Sequence, residues 1–181
     1  MKRLSNIVLL LLLTGLFSCE SKTEVKEGED DHHAAQKEML ESNRAVQRAI
    51  ETGDSVTLRK YIADDAIDHG GAADGGDAKG EEIIRMLSAV HKDIDNLKFE
   101  TIEEAANDDH IFALVRMTGT TNKAVWGMPA GYKMDSKSVD VIRIKDGKLV
   151  DHWAYFDMKE MMAMMGGGKP ADGAPAVDTA R

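Results

Sequence analysis

The carboxylate and aromatic residues near the C-terminal end of the sequence have types and spacing that suit acid–base chemistry. Asp146-Gly147 is a dipeptide typical of a two-residue β-hairpin turn, and alternating apolar residues flank it. A two-residue turn there pairs Ile142 with Asp151 and Asp140 with Trp153. Because side chains alternate along each strand, one face of the hairpin is predicted to gather carboxylates beside apolar groups. That face consists of Asp140, Ile142, Ile144, Leu149, Asp151, Trp153, Tyr155 and Asp157.

Asp157 is the first candidate for a general base on this predicted face. A carboxylate against Trp153 in a poorly hydrated pocket has its charged form disfavoured, which raises its pKa toward values useful for proton transfer. Asp140 is the candidate partner or second acid. The alternative for Asp157 is that it caps a helical turn over residues 158–165, an ordinary task for aspartate. His152 falls on the opposite face of the hairpin, so we expect it to be structural or exposed.

Helices precede the strands along the chain, which predicts an α+β fold. Apolar residues at helical spacing predict helices over 36–52, over a short segment after an Asp54-Ser55 cap, and over 81–93. A glycine-rich loop, residues 70–80, separates the last two. Alternating patterns predict strands over 97–103, 111–118, 139–144 and 149–156, and a closing methionine-rich helical turn follows, with Met158, Met161, Met162 and Met165 on one stripe.

The first eighteen residues have the pattern of a secretion signal. Lys2 and Arg3 precede an apolar run over 7–13 that is too short to span a membrane. The segment ends in Leu16-Phe-Ser-Cys19, which resembles the lipobox of bacterial lipoproteins, and Cys19 is the single cysteine of the chain. The resemblance implies cleavage before Cys19, lipid attachment to it, and a cell-envelope location. Glu20 follows the cysteine, which favours the outer membrane over the inner membrane.

The remaining chain divides into three parts by composition. Residues 19–35 are polar and acidic, which predicts a disordered tether; adjacent Asp30-Asp-His-His33 on a flexible chain is not a preformed metal site. Residues 36–166 hold the predicted domain, and residues 167–181 are predicted to be a disordered tail. The formal net charge of −9 argues against nucleic acid as a partner. The sequence contains no phosphate loop and no clear metal quartet, so no cofactor and no metal are expected.

The predicted domain resembles the SnoaL-like branch of the nuclear transport factor 2-like superfamily. The segments that carry the resemblance are Tyr61 to Gly70, Gly80 to Ile83, Trp126 to Gly131, Ile142 to Leu149, and Asp151-His-Trp153 with Asp157. The resemblance implies a cone in which a curved antiparallel sheet wraps around N-terminal helices and encloses a pocket. Close members include polyketide ring cyclases, in which a carboxylate serves as acid and base.

The resemblance also implies places for individual residues. His69 is expected near the mouth of the cone, where it would orient a substrate carbonyl or serve only as a hydrogen-bonded hinge. Trp126 is expected at the lip of the pocket, either over a flat ligand or as a plug of the core. With Trp153 and Tyr155 it forms the predicted ligand-binding set.

Three functions of different classes follow from these patterns. The first is binding of a small apolar or aromatic molecule in the pocket of a membrane-anchored lipoprotein. The second is an acid–base enzyme acting on a carbonyl compound through Asp157, with Asp140 or His69 assisting. The third is a homodimeric interaction module that uses the face of the sheet.

Overall fold

The computed structural model describes residues 27–72 and 75–157. The elements in chain order are α1 (Glu27–Thr52), α2 (Ser55–Tyr61), β1 (Ile62–His69), β2 (Ala78–Lys79), α3 (Glu81–Ala89), a 3-10 turn (Val90–Lys92), β3 (Ile94–Ala106), β4 (His110–Thr121), β5 (Lys133–Lys145) and β6 (Lys148–Phe156). The predicted α+β class is confirmed. The predicted signal segment, the lipidation residue Cys19, the methionine stripe and the C-terminal tail lie outside the described residues.

The three predicted helices are present, with different bounds. Helix α1 begins at Glu27, so the residues from 27 to 35 that were predicted to be part of a tether are helical. It ends where predicted, because Gly53 adopts a positive φ of 73° and turns the chain. Asp54 caps α2 by accepting the backbone N–H groups of Val56 and Thr57, as expected for aspartate before a helix. No helix among the described residues is apolar and long enough to cross a bilayer.

Six strands form one sheet in the order β2-β1-β6-β5-β4-β3. The sheet was predicted to be antiparallel and is so except at one pair, because β1 pairs parallel to β6 while the other neighbours are antiparallel. Strand β1 was not predicted, because its sequence alternates poorly. The parallel pair brings the segment before the glycine-rich loop against the last described strand of the chain.

The core lies between the helices and one face of the sheet, which we call the inner face. Ile111, Ala113 and Val115 of β4 point to this side and are at most 2 % exposed. They form one buried cluster with α1, α2 and α3, to which the helices contribute Val46, Ala49, Ile50, Leu58, Ile83 and Ile84. The burial of such apolar side chains is the main stabilising term of a domain of this size. The opposite, outer face of the sheet is not covered by these helices.

Candidate active site

The β5–β6 hairpin contains a bulge that corrects the predicted register. Lys145 pairs with Lys148 as predicted, and Ile144 pairs with Leu149. The next pair is Arg143 with Asp151, so Val150 is an extra residue on β6. An extra residue shifts the alternation of every side chain beyond it to the other face.

The bulge divides the predicted face between the two sides of the sheet. Asp140 pairs with Ala154, and Ile142 pairs with His152, so His152 lies on the inner face with Asp140. Trp153 and Tyr155 pair with Val141 and Val139 and lie on the outer face. Two predictions are therefore wrong: Trp153 and Tyr155 do not share a face with Asp140, and His152 does.

The parallel pairing of β1 with β6 brings Asp68 directly opposite His152. The Nδ1 atom of His152 lies 2.7 Å from Oδ1 of Asp68, and the two side chains are 25 % and 16 % exposed. With Asp68 as a carboxylate, Nδ1–H donates this hydrogen bond, which leaves Nε2 on the other side of the ring. Asp68 was not among the predicted site residues.

Asp140 is the desolvated carboxyl group of the inner face. Burial raises its pKa above the ordinary value, and proximity to Asp68 raises it further, while the charge of His152 and a 2.7 Å hydrogen bond from Ser138 Oγ offset part of the rise. Burial lowers the pKa of His152, but the hydrogen bond with Asp68 and the charges of Asp68 and Asp140 outweigh it, so the net shift is upward. We call Asp68, Ser138, Asp140 and His152 the acid–base cluster.

The acid–base cluster has the chemical requirements of a proton-transfer site. A carboxyl group with a raised pKa takes up and returns protons nearer to neutral pH than an ordinary aspartate. An imidazole oriented by a carboxylate has a fixed tautomer and a stabilised charged form. Titratable groups with perturbed pKa values that influence one another mark candidate functional sites.

His69 lies on the outer face, one residue after Asp68. Its ring stacks on Trp153, with centroids 4.5 Å apart and planes 8° from parallel. Its Nε2 is 3.0 Å from Oδ1 of Asp151, and Arg143 donates to the other oxygen of that carboxylate. His69 was expected near the mouth of the cone; its side chain lies on the outer face, because its neighbour Asp68 occupies the inward position.

Trp126 and Asp157 are both exposed in the structure. Trp126 is 57 % exposed, so the interpretation as a core plug is wrong; Met128, two residues later, is 1 % exposed and fills the core. Asp157 directly follows β6 and is exposed. It is not part of the acid–base cluster, and its roles as general base or as cap stay predictions, since the segment that it would cap lies outside the described residues.

Two cavities formed by described residues lie away from the acid–base cluster. A groove of about 370 Å³ runs between α1 and β3 and is lined by polar groups that include Arg44, Gln47 and Glu51. A space of about 10 Å³ beneath Tyr61 and Ile142 has room for about one water molecule. Ser136, on the inner face of β5 like Asp140, is 4 % exposed, and its hydroxyl has no hydrogen-bond partner among residues 27–72 and 75–157. In the part of the chain that the structure describes, no three or more His, Cys, Asp or Glu side chains are placed so that they could hold a metal ion together.

The sequence and the fold were compared with those of known proteins. The family model described as SnoaL-like polyketide cyclase matches residues 21–164. The fold is similar to that of TsrD from Streptomyces laurentii, with 17 % identity over 72 % of this chain and 96 % of that one and a TM-score of 0.62. It is also similar to a SnoaL-like polyketide cyclase from Agrobacterium tumefaciens (15 % identity, 71 % of this chain, 98 % of that one, TM-score 0.60).

A third similar structure is an LEH-like epoxide hydrolase from M. tuberculosis, with 14 % identity, coverage of 74 % of this chain and 92 % of that one, and a TM-score of 0.57. Likeness at these identities shows the fold. No protein of curated function matches the sequence. Because the family model covers most of the chain, including the whole sheet, this chain belongs to the SnoaL-like polyketide cyclase family of the nuclear transport factor 2-like superfamily.

Proposed function

We propose that the domain binds a small carbonyl compound against the inner face of the sheet and transfers protons to and from it through the acid–base cluster. The observation that carries this proposal is the desolvated carboxyl group of Asp140 beside His152, whose imidazole is held by Asp68. This assignment replaces Asp157 with Asp140 as the first candidate for the acid–base residue.

The polar groups of the inner face support the proposal that a ligand binds there. Ser136, Ser138 and Asp140 follow one another at alternate positions of β5 and therefore point to the same side. A buried hydroxyl without a partner, such as that of Ser136, carries a desolvation cost of about 1–3 kcal/mol. A ligand oxygen that accepts a hydrogen bond from this hydroxyl would remove that cost.

The two titratable groups have separate roles in the proposed reaction. Asp140 as a carboxylate removes a proton from the carbon next to the carbonyl, and as a carboxylic acid it returns the proton. His152, protonated on both nitrogens and held through Nδ1 by Asp68, donates from Nε2 to the oxygen on which negative charge develops. Cyclase and hydrolase relatives of the same fold support acid–base chemistry on oxygenated molecules.

The proposed ligand is tested by native mass spectrometry of the protein purified from its own host. We expect a retained small molecule in the wild-type protein and a reduced amount in Ser136→Ala, which lacks the unpartnered hydroxyl. Isotope exchange of the retained carbonyl compound's α-hydrogens in D₂O then tests proton transfer. A retained molecule whose α-hydrogens do not exchange would support ligand binding and contradict the proposed proton transfer.

We further propose that the chain is a lipoprotein anchored through Cys19, with the outer membrane as its location. The support is the Leu16-Phe-Ser-Cys19 pattern after a charged and apolar start. In a bacterial host fed a labelled fatty acid, we expect the wild-type chain to carry the label and to sediment with membranes. Cys19→Ser should abolish labelling and move the protein out of the membrane fraction, whereas labelling of Cys19→Ser would contradict the proposal.

The outer face supports a second candidate function, self-association through the sheet. Phe112, Val139 and Tyr155 lie on three adjacent strands and are 45 %, 43 % and 58 % exposed. Leu114, Val141 and Trp153 connect them into one apolar patch. Contiguous apolar patches of this kind are typical of protein–protein interfaces, and a second copy presents the same patch.

Self-association is tested by analytical ultracentrifugation of the chain without its first 18 residues. We expect a dimer for the wild type and a monomer for Val139→Lys, because a buried unpaired ammonium group opposes association. Val56→Lys is the matched control, since Val56 is 77 % exposed and lies on α2, outside the apolar patch. A monomeric wild type, or an unchanged dimer in Val139→Lys, would contradict this function.

A further inference from the structure

The strand that supplies Asp68 pairs with β6 through a very short regular segment. Ile62 pairs with Leu149, but the next pair is Ile67 with Asp151. An advance of five residues along β1 therefore corresponds to an advance of only two residues along β6. Regular pairing then covers three residues, 67 to 69, before the chain turns away at Gly70. The β1–β6 ladder itself therefore contributes only these three pairs, to which β2 adds two, Ile67 with Lys79 and Asp68 with Ala78.

The register of this segment decides whether the acid–base cluster forms. A slip by one residue moves every side chain to the other face of the sheet. Asp68 would then leave the inner face, and His152 would lose the carboxylate that fixes its tautomer. Side-chain contacts across the β1–β6 pair can therefore help to hold residues 67–69 in register.

The outer face carries a set of such contacts, which we call the outer-face network. His69 of β1 lies between the carboxylates of Asp151 on β6 and Asp77, at 3.0 and 3.4 Å, and its ring stacks on Trp153. Arg143 of β5 donates through Nε to Asp151 at 2.8 Å. These contacts join three adjacent strands beside the Val150 bulge.

The two sides of the β1–β6 pair mirror each other in sequence. Each strand contributes an Asp-His dipeptide, Asp68-His69 and Asp151-His152. Asp68 contacts His152 on the inner face, and His69 contacts Asp151 on the outer face. A slip in register would break both contacts together, so each contact supports the other.

We propose that the outer-face network is a positioning device: His69, through Asp151 and Trp153, sets the register of β1 on β6 and thereby holds Asp68 against His152. His69 and Asp151 are positioning residues, since they lie on the face opposite to the proposed ligand. This inference rests on the proposed function for its purpose, but its test needs neither a ligand nor turnover.

The test is an NMR measurement on the full chain labelled with ¹⁵N. An imidazole Nδ1–H that donates to a carboxylate gives a slowly exchanging, downfield proton resonance, which we expect for His152 in the wild type. His69→Ala should remove this resonance and lower the pKa of His152 by about half a unit or more, because Asp68 no longer stays opposite the ring. His69→Gln, whose amide can still donate to Asp151, should retain the resonance.

His110→Ala is the matched control for His69→Ala. His110 is 28 % exposed, as is His69, and it also contacts an aspartate, Asp109, at 2.7 Å. It lies at the start of β4, away from β1 and β6, so its replacement should leave His152 unchanged. If His69→Ala does not fold, Asp151→Asn becomes the deciding variant, with the same expected loss.

The proposal would be overturned if folded His69→Ala kept both the resonance and the pKa of His152. If Asp151→Asn is the deciding variant, the same result in that variant would overturn it. The proposed function fails by a different result, the absence of α-hydrogen exchange in a wild-type protein whose His152 resonance is present. The two failures are therefore distinguishable.

Discussion

Replacement of Asp140 by asparagine is expected to lower proton transfer by about 10²–10⁴-fold, the range by which a positioned acid or base accelerates a reaction. Asparagine has nearly the same shape and can still accept the hydrogen bond from Ser138, but it cannot exchange a proton. The measurement is the rate of α-hydrogen exchange in the carbonyl compound that the protein retains. A rate within a few-fold of wild type would remove Asp140 from the reaction.

The same substitution is expected to preserve or increase stability. Because burial raises the pKa of Asp140 in the folded state, the folded protein binds this proton more tightly than the unfolded chain. The ionised group therefore destabilises the fold as pH rises above the ordinary aspartate value. The gain in unfolding free energy of Asp140→Asn over wild type should grow from about pH 4 to about pH 7, as measured by urea denaturation.

Asp135→Asn provides the matched control for this prediction. Asp135 lies on the outer face, where its exposed carboxylate forms two hydrogen bonds of 2.7 Å with Arg116, and this contact lowers its pKa. Its replacement should reduce stability slightly, by about 1 kcal/mol or less, as expected for an exposed ion pair. It should leave proton transfer unchanged. A stability loss in Asp140→Asn larger than in this control would contradict the desolvated state of Asp140.

Replacement of His152 by glutamine is expected to lower the free energy of unfolding by an amount that depends on pH. The pKa of His152 is raised in the folded state, so its charged form contributes stability that is fully present below the unfolded value and is lost as pH rises through the folded value. The wild type should exceed His152→Gln in unfolding free energy by about 1.5–3 kcal/mol at low pH, the range for a hydrogen bond to a charged group. The difference should shrink at about pH 9.

Urea denaturation at a pH below the unfolded-state pKa of histidine and at about pH 9 measures this difference. Asp68→Asn should reproduce the effect, since it removes the carboxylate that raises the pKa of His152. If the difference in unfolding free energy between wild type and His152→Gln is the same at both pH values, the imidazole contributes to stability only by packing.

The local parts of the fold were predictable from the sequence, because neighbouring residues determine them. The Asp146-Gly147 turn, the stop at Gly53 and the cap at Asp54 all lie where their residue types require. The outermost hairpin pair, Lys145 with Lys148, is also the predicted one. Turn and cap preferences are backbone effects that distant contacts rarely change.

The prediction of which hairpin side chains share a face of the sheet was wrong because of one residue, Val150. Val150 has high strand propensity, yet as the extra residue it reverses the orientation of Asp151 and all that follows. Glycine often marks a bulge and is absent here, and the adjacent apolar pair Leu149-Val150 was the only break in alternation at this place. Asp140 was found because it lies on β5, whose alternation the bulge does not change, while His152 was placed on the wrong face.

Asp68 was missed for a different reason. Its role depends on the parallel pairing of β1 with β6, in which Asp68 and His152 are 84 positions apart in the chain. No turn signal reports such a pairing, since parallel neighbours are not joined by a hairpin. The repeated Asp-His dipeptide at Asp68-His69 and Asp151-His152 was the available sequence signal, and only the sheet order gives it meaning.

The acid–base cluster requires that Asp140 be a desolvated carboxyl group within reach of the charge of His152, and an NMR titration of the Asp140 side-chain carbon measures this. We expect this carbon to titrate above the ordinary aspartate value of 3.8 and its midpoint to rise further in His152→Gln, because the offsetting imidazolium charge is lost. A midpoint at or below the ordinary value, unchanged in the variant, would contradict the acid–base cluster and the function proposed for it.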